Sequence, residues 1–340
     1  MIKHIRRLTA DDLSAYQKMQ TGLEVDYMLD AFTRITDAPN YLYGLFVSDN
    51  LVALSGFNLF QNHYAMLGRL RTDVRYRNQG YGTEIMQFSL EKALLMENVH
   101  WIGAYTESTN KASQNVFKKI GLAPADTHYA AKADSVTDMT TPDAALWQEI
   151  TDAFEQKEWL NRTYLNPSFD KHVFPFEAYY PFPVSQELFD DLPAHWRFFQ
   201  NKKKSRYVIL WEEYVGARYL HVVYPWHDFL KQTGLFKTVQ TVLESSQEKD
   251  SSTSLWWDFS ELESKTLPFS HPFILGTPWV LYGASKHKLL SDDSSESLKR
   301  AYQFLDDLEE ELKDLEQITE SQTKKLASLD NKLGNNDLTN

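Results

Sequence analysis

The sequence predicts an α/β (α+β) protein with a mixed, twisted sheet flanked by helices. Strand-like and helix-like segments alternate over residues 1–133, as in a sheet that carries helices on its faces. From residue 205 a hairpin, a helix and further strands repeat this order in outline, which predicts a second, smaller α/β domain. Leucines at heptad spacing then predict a long C-terminal amphipathic helix.

These patterns divide the 340-residue chain into four predicted parts, in line with the roughly two domains that its length favours. They are a first domain over 1–140, a helix and aromatic, proline-rich connector over 141–204, a second domain over 205–290 and a heptad helix over 295–335. A hydroxyl cap followed by proline predicts that the connector's helix starts at Thr141 and Pro142. This helix would bury Ala145, Trp147, Ile150 and Phe154.

Apolar periodicity predicts the elements of the first domain. A strand over 3–9 and helices over 10–24 and 25–35 come first, and strands over 41–49, 51–60 and 65–74 follow. The turn chemistry of Ser48-Asp49-Asn50 predicts a hairpin between the first two of these three strands. The remaining predicted elements are a helix over 80–96, a strand over 101–107, a helix over 110–121 and a strand over 122–133.

Composition excludes several classes of function. A net charge of −12 argues against nucleic-acid binding, which needs a basic face. The chain has no run of about eighteen apolar residues, so no membrane span is predicted. The basic N-terminus lacks the apolar segment of a signal peptide, and zero cysteines exclude disulfide and thiolate chemistry. We therefore expect a cytoplasmic protein.

Two glycines, Gly80 and Gly82, stand between a predicted strand and a predicted helix in the segment RYRNQGYGTEI. The first-turn amides of such a helix lack intrahelical acceptors and lie at the positive end of the helix dipole. Glycines there let a diphosphate approach the main chain. A tight turn with no ligand is the alternative interpretation of the same residues.

A second motif begins 28 residues after Gly82, in the segment NKASQNVFKKIGL. Together with Arg77-x-x-Gly80-x-Gly82, it resembles the acyl-coenzyme A-binding motifs of the GNAT acyltransferase superfamily, over residues 1 to about 133. The positions that carry the second motif are Asn110, Ser113, Phe117, Gly121 and Leu122. The resemblance implies a GNAT-like sheet and an N-acetyltransferase that uses acetyl-coenzyme A as co-substrate and acts on an amine of a small molecule or peptide.

The resemblance also implies the coenzyme contacts. Main-chain amides of residues 78–83 would hold the pyrophosphate, and the strand at 70–74 would pair with the pantetheine arm where the sheet splays. Asn110 would contact the coenzyme, although it is equally suited to be the N-cap of its helix. The implied set is Leu70, Thr72, Val74, Arg77, Asn78, Gln79, Gly80, Tyr81, Gly82, Thr83, Asn110, Ser113 and Phe117.

Transfer requires an acid that protonates the departing thiolate. In many members of the superfamily this is a tyrosine on the second helix, and here its place is taken by Phe117, which has no proton to give. Tyr105, Tyr129 or a water are the substitutes. The alternative interpretation, which the large number of tyrosines in the chain favours, is that both are packing residues.

Transfer also requires a base that accepts a proton from the amine. Glu107 lies at the carboxyl end of a central strand, where α/β sheets place their sites, and Asp73 follows the strand that would pair with the coenzyme. His63 and Tyr64 precede that same strand and are candidates to face the acceptor. Solvated or turn residues are the alternative interpretation.

Two other classes of function remain open. A protein that binds acyl-coenzyme A as a sensor would explain Phe117 and the lack of an obvious base. A two-domain aminoacyl transferase that uses charged tRNA would also pair two such domains, but the acidic charge and the intact glycine loop disfavour it.

After residue 133 no comparable motif follows. His221, His227 and His271 lack metal-ligand spacing, so they are predicted to be structural or exposed and no metal is predicted. The heptad helix predicts either an antiparallel homodimer, in which its acidic half faces its lysines, or a seam against the chain's own second domain.

Overall fold

A mixed β-sheet of thirteen strands forms the frame of the protein in a computed structural model, which describes residues 2–291. A separate two-stranded hairpin, β8 and β9, lies in the connector. The strands are β1 (Lys3–Arg7), β2 (Asn40–Val47), β3 (Asn50–Phe60), β4 (Tyr64–Thr72), β5 (Trp101–Glu107), β6 (Pro124–Ala133), β7 (Gln148–Ile150), β8 (Val173–Glu177), β9 (Tyr180–Pro183), β10 (Arg197–Gln200), β11 (Tyr207–Tyr214), β12 (Arg218–Val223), β13 (Ser254–Ser260), β14 (Ile274–Leu275) and β15 (Trp279–Ser285).

Eight α-helices accompany the strands in the described part of the chain. They are α1 (Leu13–Gln17), α2 (Met28–Thr36), α3 (Tyr81–Leu94), α4 (Lys111–Lys119), α5 (Ala153–Arg162), α6 (Leu235–Lys249), α7 (Glu261–Thr266) and α8 (Lys286–Ser291). None of the helices described over residues 2–291 is long and apolar enough to cross a bilayer. The predicted heptad helix over 295–335, and the dimer predicted from it, lie outside the described residues.

The strand order differs from the order along the chain. The sheet runs β1-β2-β3-β4-β5-β15-β6-β13-β12-β11-β10-β7, and β14 pairs with β6. Only β4 with β5 and β12 with β13 are parallel among these described pairs. β15 therefore separates β5 from β6, and β6 joins the strands of residues 2–133 to those that follow.

The mixed sheet with helices on its faces confirms the predicted fold class. The predicted strand over 101–107 is β5, and the predicted hairpin at Ser48-Asp49-Asn50 joins β2 and β3. The helix predicted from Gly80 begins one residue later, at Tyr81, because Gly80 is its left-handed N-cap.

The prediction of a helix that starts at Thr141 is wrong. Residues 142–147 form turns and irregular chain, and β7 pairs with β10 immediately afterwards, so a tertiary strand pairing overrides the local start signal. Helix α5 begins only at Ala153, where the Asp152 side chain caps its first turn. Of the four positions predicted to be buried, Trp147 and Ile150 are buried, whereas Ala145 and Phe154 are exposed.

Helices pack on both faces of the sheet in residues 2–133. Helices α1 and α2 share a core with Leu42 and Leu54 on one face of β2 and β3. Helix α3 covers the other face, and its Ser89 Oγ lies 2.6 Å from Ser55 Oγ of β3. The aromatic connector adds a further core, in which the ring of Phe182 on β9 lies 4.9 Å from that of Tyr64 on β4.

One succession of elements occurs twice. A hairpin, a helix and a parallel strand are β3–β4, α3 and β5 in the first half (residues 2–133), and β11–β12, α6 and β13 in the second half (residues 148–285). Both helices follow a left-handed glycine, Gly80 and Gly234, each with φ of 86°. Their surroundings differ: a Cβ on Gly80 would have nothing within 4 Å, whereas a Cβ on Gly234 would lie 2.2 Å from the carbonyl oxygen of Ala145.

Candidate active site

The first half of the sheet splays at β4. The parallel pairing of β4 with β5 runs from Tyr64 opposite Trp101 to Leu67 opposite Ala104 and goes no further. Beyond Leu67, β4 continues against β3 alone. The main chain of residues 68–72 therefore has no strand partner on its β5 side among the described strands, and it offers an edge to which an extended ligand can bind.

A bulge accompanies the splay. The register between β3 and β4 shifts between Leu54 and Gly56, and Arg69, opposite the shift, has φ of 58°. Bulges of this kind bend a strand and re-aim its groups. A Cβ on Gly68 would meet nothing within 4 Å, so the space beside the bulge is open.

The loop after β4 leads into the N-terminus of α3. Gly80 is left-handed and open on its side-chain side, whereas a Cβ on Gly82 would lie 3.0 Å from Thr72 Oγ1. The amides of Tyr81 and its two successors lie in the first turn, where helices lack internal acceptors. The two glycines thus leave a bare main-chain surface next to the splayed edge of β4, as an anion-binding loop requires.

Two of the implied coenzyme contacts are already engaged within the protein. The N–H of Val74 donates to the carbonyl oxygen of Gln20 at 2.8 Å, so it is not free to pair with a pantetheine arm, which corrects that assignment. The Arg77 Nη2 donates to the carbonyl oxygen of Thr21 at 2.6 Å. Arg77 therefore joins the glycine loop to the segment between α1 and α2.

Asn110 is the N-cap of α4, as one of its two predicted interpretations requires. Its Oδ1 accepts from the N–H of Ser113 at 3.1 Å, and its own N–H donates to the carbonyl oxygen of Glu107. The side-chain Nδ2 is the group through which Asn110 would reach a ligand. The cap also fixes the end of β5 relative to α4.

Asp73, a candidate base, has a structural role. Its side chain is fully buried, and it accepts from Arg75 Nη2 at 2.6 Å and from the N–H of Gln20 at 3.1 Å. The hydrogen bonds from Arg75 are the main cause that lowers the pKa of Asp73 to about 2. A carboxylate held so strongly in its ionised form is a poor proton acceptor, and its lone pairs are occupied.

Tyr105 and Glu107 lie on the same face of β5, where strand alternation puts every second residue. Glu107 is exposed at the carboxyl end of the strand. The Tyr105 ring lies 5.2 Å from that of Trp279 on β15 and 6.4 Å from that of His128 on β6. Burial raises the pKa of Tyr105 well above its usual value, so the phenol keeps its proton at neutral pH.

Tyr129 lies on the opposite face of the sheet. His128 pairs with Trp279, which pairs with Glu107, so these three side chains share one face and the next residue of β6 points to the other. There Tyr129 packs against the apolar core around Trp257. The structure therefore brings Tyr105 and Glu107 together and leaves Tyr129 apart from them.

A residue that sequence reasoning missed stands beside Phe117. Tyr282 of β15 has its ring 5.5 Å from the buried ring of Phe117, and its hydroxyl donates to Gln114 Oε1 at 3.4 Å. Burial raises the pKa of Tyr282. No local signal links positions 117 and 282, because only the insertion of β15 next to β5 brings them together.

His63 and Tyr64, at the start of β4, are hydrogen-bonded to neighbouring segments of the chain. His63 Nδ1 lies 2.9 Å from the carbonyl oxygen of Asn98, and the Tyr64 hydroxyl is hydrogen-bonded to Ser185 of the connector. These hydrogen bonds hold the start of β4, which is the end of the strand that still pairs with β5. No group of three or more potential metal ligands occurs within residues 2–291.

The chain was compared with known protein families, curated proteins and solved structures. Residues 5–122 match the model of the Acetyltransferase (GNAT) family. No curated protein gives a significant sequence match to the chain.

Solved structures extend the likeness of the fold beyond this domain. A GCN5-related N-acetyltransferase from Sphaerobacter thermophilus is 12% identical, with a TM-score of 0.52 over 84% of this chain and 96% of that chain. The ribosomal-protein-S18-alanine N-acetyltransferase from Escherichia coli is 17% identical, with a TM-score of 0.34 over 42% of this chain and 86% of that chain. The first of these shows that the overall fold, second half included, has a counterpart among acetyltransferase structures.

Proposed function

We propose that the protein is an acetyl-coenzyme A-dependent N-acetyltransferase that acetylates an amine of a small molecule or peptide by direct transfer. The observation that carries the proposal is the splay of β4 from β5 beside the bare glycine loop at the start of α3. A splayed edge and an adjoining anion site match the two ends of a phosphopantetheine chain.

The residues present fit the coenzyme. Gly80 and Gly82 are positions where a side chain would enter the loop or press on Thr72, so their absence of a Cβ leaves room for a diphosphate at the amides of residues 78–83. Leu70 and Thr72 lie on the open edge of β4, where main-chain pairing would hold the pantetheine arm. The coenzyme supplies the activated acetyl thioester.

Two side chains on one face of β5 are suited to the proton transfers. Glu107, exposed at the strand end, would accept a proton from the amine as its nitrogen bonds to the acetyl carbon. Tyr105 keeps its proton at neutral pH and would give it to the sulfur as the carbon–sulfur bond breaks. Tyr282, next to Phe117 on the other face, is the second donor candidate.

A coenzyme-binding protein without turnover is the alternative, because Phe117 replaces the tyrosine expected of many catalytic relatives. The two functions separate in one experiment. Release of free thiol from acetyl-coenzyme A in the presence of a panel of amines supports the transferase, whereas calorimetric binding of coenzyme without release under any amine supports the sensor.

Gly82→Asp tests the coenzyme loop itself. The new carboxylate would lie where the phosphates bind, so we expect coenzyme binding by calorimetry to fall at least a hundredfold while the thermal unfolding midpoint stays within a few degrees. Gly216→Asp is the control for an added carboxylate, in an open turn between β11 and β12, where a φ of 72° adds backbone strain that Gly82→Asp lacks. Unchanged affinity in folded Gly82→Asp would show that the loop is a plain turn.

A further inference from the structure

Strand β4 carries two arginines beside the splay, and they differ in their counter-ions. Arg71 Nε and Nη2 each lie 3.0 Å from an oxygen of Asp26, so the two charges of this pair cancel. Arg69 forms no ion pair within residues 2–291. Its Nη2 donates to the neutral Asn40 Oδ1 at 2.8 Å. Arg69 is therefore an unbalanced cation next to the proposed transfer site.

The other groups around Arg69 do not supply the missing negative charge. Tyr180, Tyr27 and Arg34 are the titratable groups that act on it, and none of them is a carboxylate. Burial raises the pKa of Tyr180, so its hydroxyl is neutral at neutral pH. Arg69 is partly buried, which lowers its pKa, but a guanidinium keeps its proton at neutral pH. Since buried charges in proteins are nearly always paired, this one indicates an anionic ligand.

The Arg69 guanidinium lies on the face of the sheet that carries Tyr64. Asn40, which holds the guanidinium, pairs with Asn58 of β3, and Asn58 pairs with Met66 of β4. Cross-strand partners share a face, and so do residues two apart in one strand. Asn40, Met66 and Tyr64 are therefore on one face, and the contact with Asn40 places the charged end of Arg69 there as well.

The candidate proton-transfer residues lie on this same face. Tyr64 pairs with Trp101 at the start of β5, and their ring centroids are 6.3 Å apart. Tyr105 and Glu107 follow Trp101 at even spacing along β5, so they share its face. Arg69 on β4 and these two residues on β5 thus border one surface on either side of the splay.

The splay sets the spacing across this surface. Pairing ends at Leu67 opposite Ala104, and Arg69 is two residues beyond Leu67. At a rise of about 3.3 Å per residue, roughly 7 Å of β4 separate its Cα from the last paired position. A Cβ on Gly68 would have nothing within 4 Å, so the space in between is open. A compound a few carbon atoms long can therefore reach from the end of the pairing to the guanidinium.

The turn of the connector hairpin contacts both sides of this space. The Tyr180 ring lies 4.7 Å from that of Phe60 on β3. The ring of the preceding residue, Tyr179, lies 5.2 Å from that of Trp279, which is itself 5.2 Å from the Tyr105 ring. These rings limit the access of water, and an ion pair is stronger where water is limited.

We propose that the Arg69 guanidinium binds a carboxylate of the acceptor, so that the acceptor is an amine that also carries a carboxylate, such as an amino acid. The planar fork of a guanidinium matches the two oxygens of a carboxylate. One guanidinium balances one negative charge, whereas a phosphate group carries nearly two at neutral pH. This inference rests on the proposed function and specifies its substrate class. The carboxylate takes no part in the bond changes at the acetyl carbon.

The test compares unbranched amino acids of increasing length with their uncharged carboxamides. The acids are glycine, β-alanine, γ-aminobutyrate, δ-aminovalerate and ε-aminocaproate. Thiol release from acetyl-coenzyme A measures kcat/KM for each compound, and calorimetry without coenzyme measures binding to the full chain. At the length that fits, we expect kcat/KM and affinity to be at least tenfold higher for the acid than for its carboxamide, because only the acid forms a charge-assisted pair.

Arg69→Gln removes the charge and keeps an amide donor for Asn40. The preference for the acid should fall to within about threefold of equality. Arg69→Lys keeps the charge without the planar fork, so it should show an intermediate preference. Arg162→Gln is the control, because it removes the same charge from an exposed position on α5, and it should keep the full preference. Thermal unfolding shows whether each variant is folded.

The outcomes separate this inference from the proposed function. Equal binding and equal kcat/KM for every acid and its carboxamide in the unmodified protein overturn Arg69 as a carboxylate site, even if thiol release shows that the protein is a transferase. A preference that folded Arg69→Gln leaves intact, or that Arg162→Gln also removes, overturns it too. Absence of coenzyme binding would refute the proposed function, while the calorimetric comparison of acids with carboxamides would still decide whether the site binds a carboxylate.

Discussion

At the scale of single residues, burial separates structural from reactive carboxylates. Asp73 follows β4 and Glu107 ends β5, the two strands that border the splay, and no sequence pattern ranks one carboxylate above the other. In the structure, Asp73 is enclosed and bonded to Arg75, whereas Glu107 is exposed at a strand end. The ranking depends on tertiary contacts, since Gln20, which also bonds to Asp73, lies 53 positions away.

Asp73→Asn should lower the free energy of unfolding by about 2 kcal/mol at pH 7, because charged hydrogen bonds to a buried group are lost. The pKa of Asp73 is lowered from 3.8 to about 2 in the folded protein, so its ionised form stabilises the fold above pH 3.8. That contribution decreases as the pH falls through this range and is nearly absent below about 2.

Urea titrations of the unmodified protein and the variant at pH 7, 4 and 3 measure this difference. Asp143→Asn, on an exposed turn, should change stability little at any of these pH values. A difference between Asp73→Asn and the unmodified protein that is the same at pH 7 and pH 3 would contradict an ionised structural role.

At the scale of elements, the two left-handed glycines are a matched pair. Gly80 and Gly234 have the same φ and each precedes a long helix, but only Gly80 is open on its side-chain side. Residues 145–147 cover the second glycine, where Trp147 Nε1 donates to the carbonyl oxygen of Thr233. Phe236, which is buried, stands where Gly82 stands in the first loop, two residues after the left-handed glycine. We therefore expect one coenzyme per chain, bound in the first half.

Alanine substitutions at Gly80 and Gly234 distinguish the free-energy cost of backbone strain from that of a steric clash. Gly80→Ala should lower the free energy of unfolding by about 1–2 kcal/mol, the cost of a side chain in a left-handed conformation. Gly234→Ala carries the same cost and adds a contact of 2.2 Å with the Ala145 carbonyl oxygen, so its loss should be larger by at least about 1 kcal/mol.

Chemical denaturation of both variants checks this, and calorimetry with coenzyme provides the second readout. Gly80→Ala should weaken coenzyme binding, whereas Gly234→Ala should leave it unchanged wherever the protein is folded. Equal stability losses would show that residues 145–147 move aside easily, and a stoichiometry of two coenzymes would show that the second loop is a working site.

Local sequence patterns predicted most helices and strands of the first half, but they did not predict how the strands pair in the sheet. The strand at 101–107 and the cap at Asn110 depend on neighbouring residues, and both were predictable. The helix predicted from Thr141 failed because β7 gains a partner in β10, some fifty residues further along the chain. Tyr282 was missed for the same reason, since its position beside Phe117 depends on β15 reaching β5.

At the scale of the whole molecule, β15 makes the first half depend on the second. β5 and β6 are not paired with each other, and β15 bonds to both. A chain of residues 1–140, the predicted first domain, would leave one edge of β5 and both edges of β6 unpaired, and unpaired edges favour association between molecules.

We expect residues 1–140 alone to aggregate or to unfold without a cooperative transition, whereas residues 1–291 give a soluble protein with a single sharp transition. Light scattering and circular dichroism measure both properties. A monomeric 1–140 fragment that unfolds cooperatively and binds coenzyme would show that β15 is dispensable for the first half.

The position of β15 has a consequence for how the protein is made. β5 leaves the ribosome about 170 residues before the strand that fills its open edge. At a synthesis rate of roughly 5–20 residues per second, β15 is made on the order of ten to thirty seconds after β5. During synthesis the sheet of the first half is therefore incomplete until β15, the last strand of the described fold, has been made.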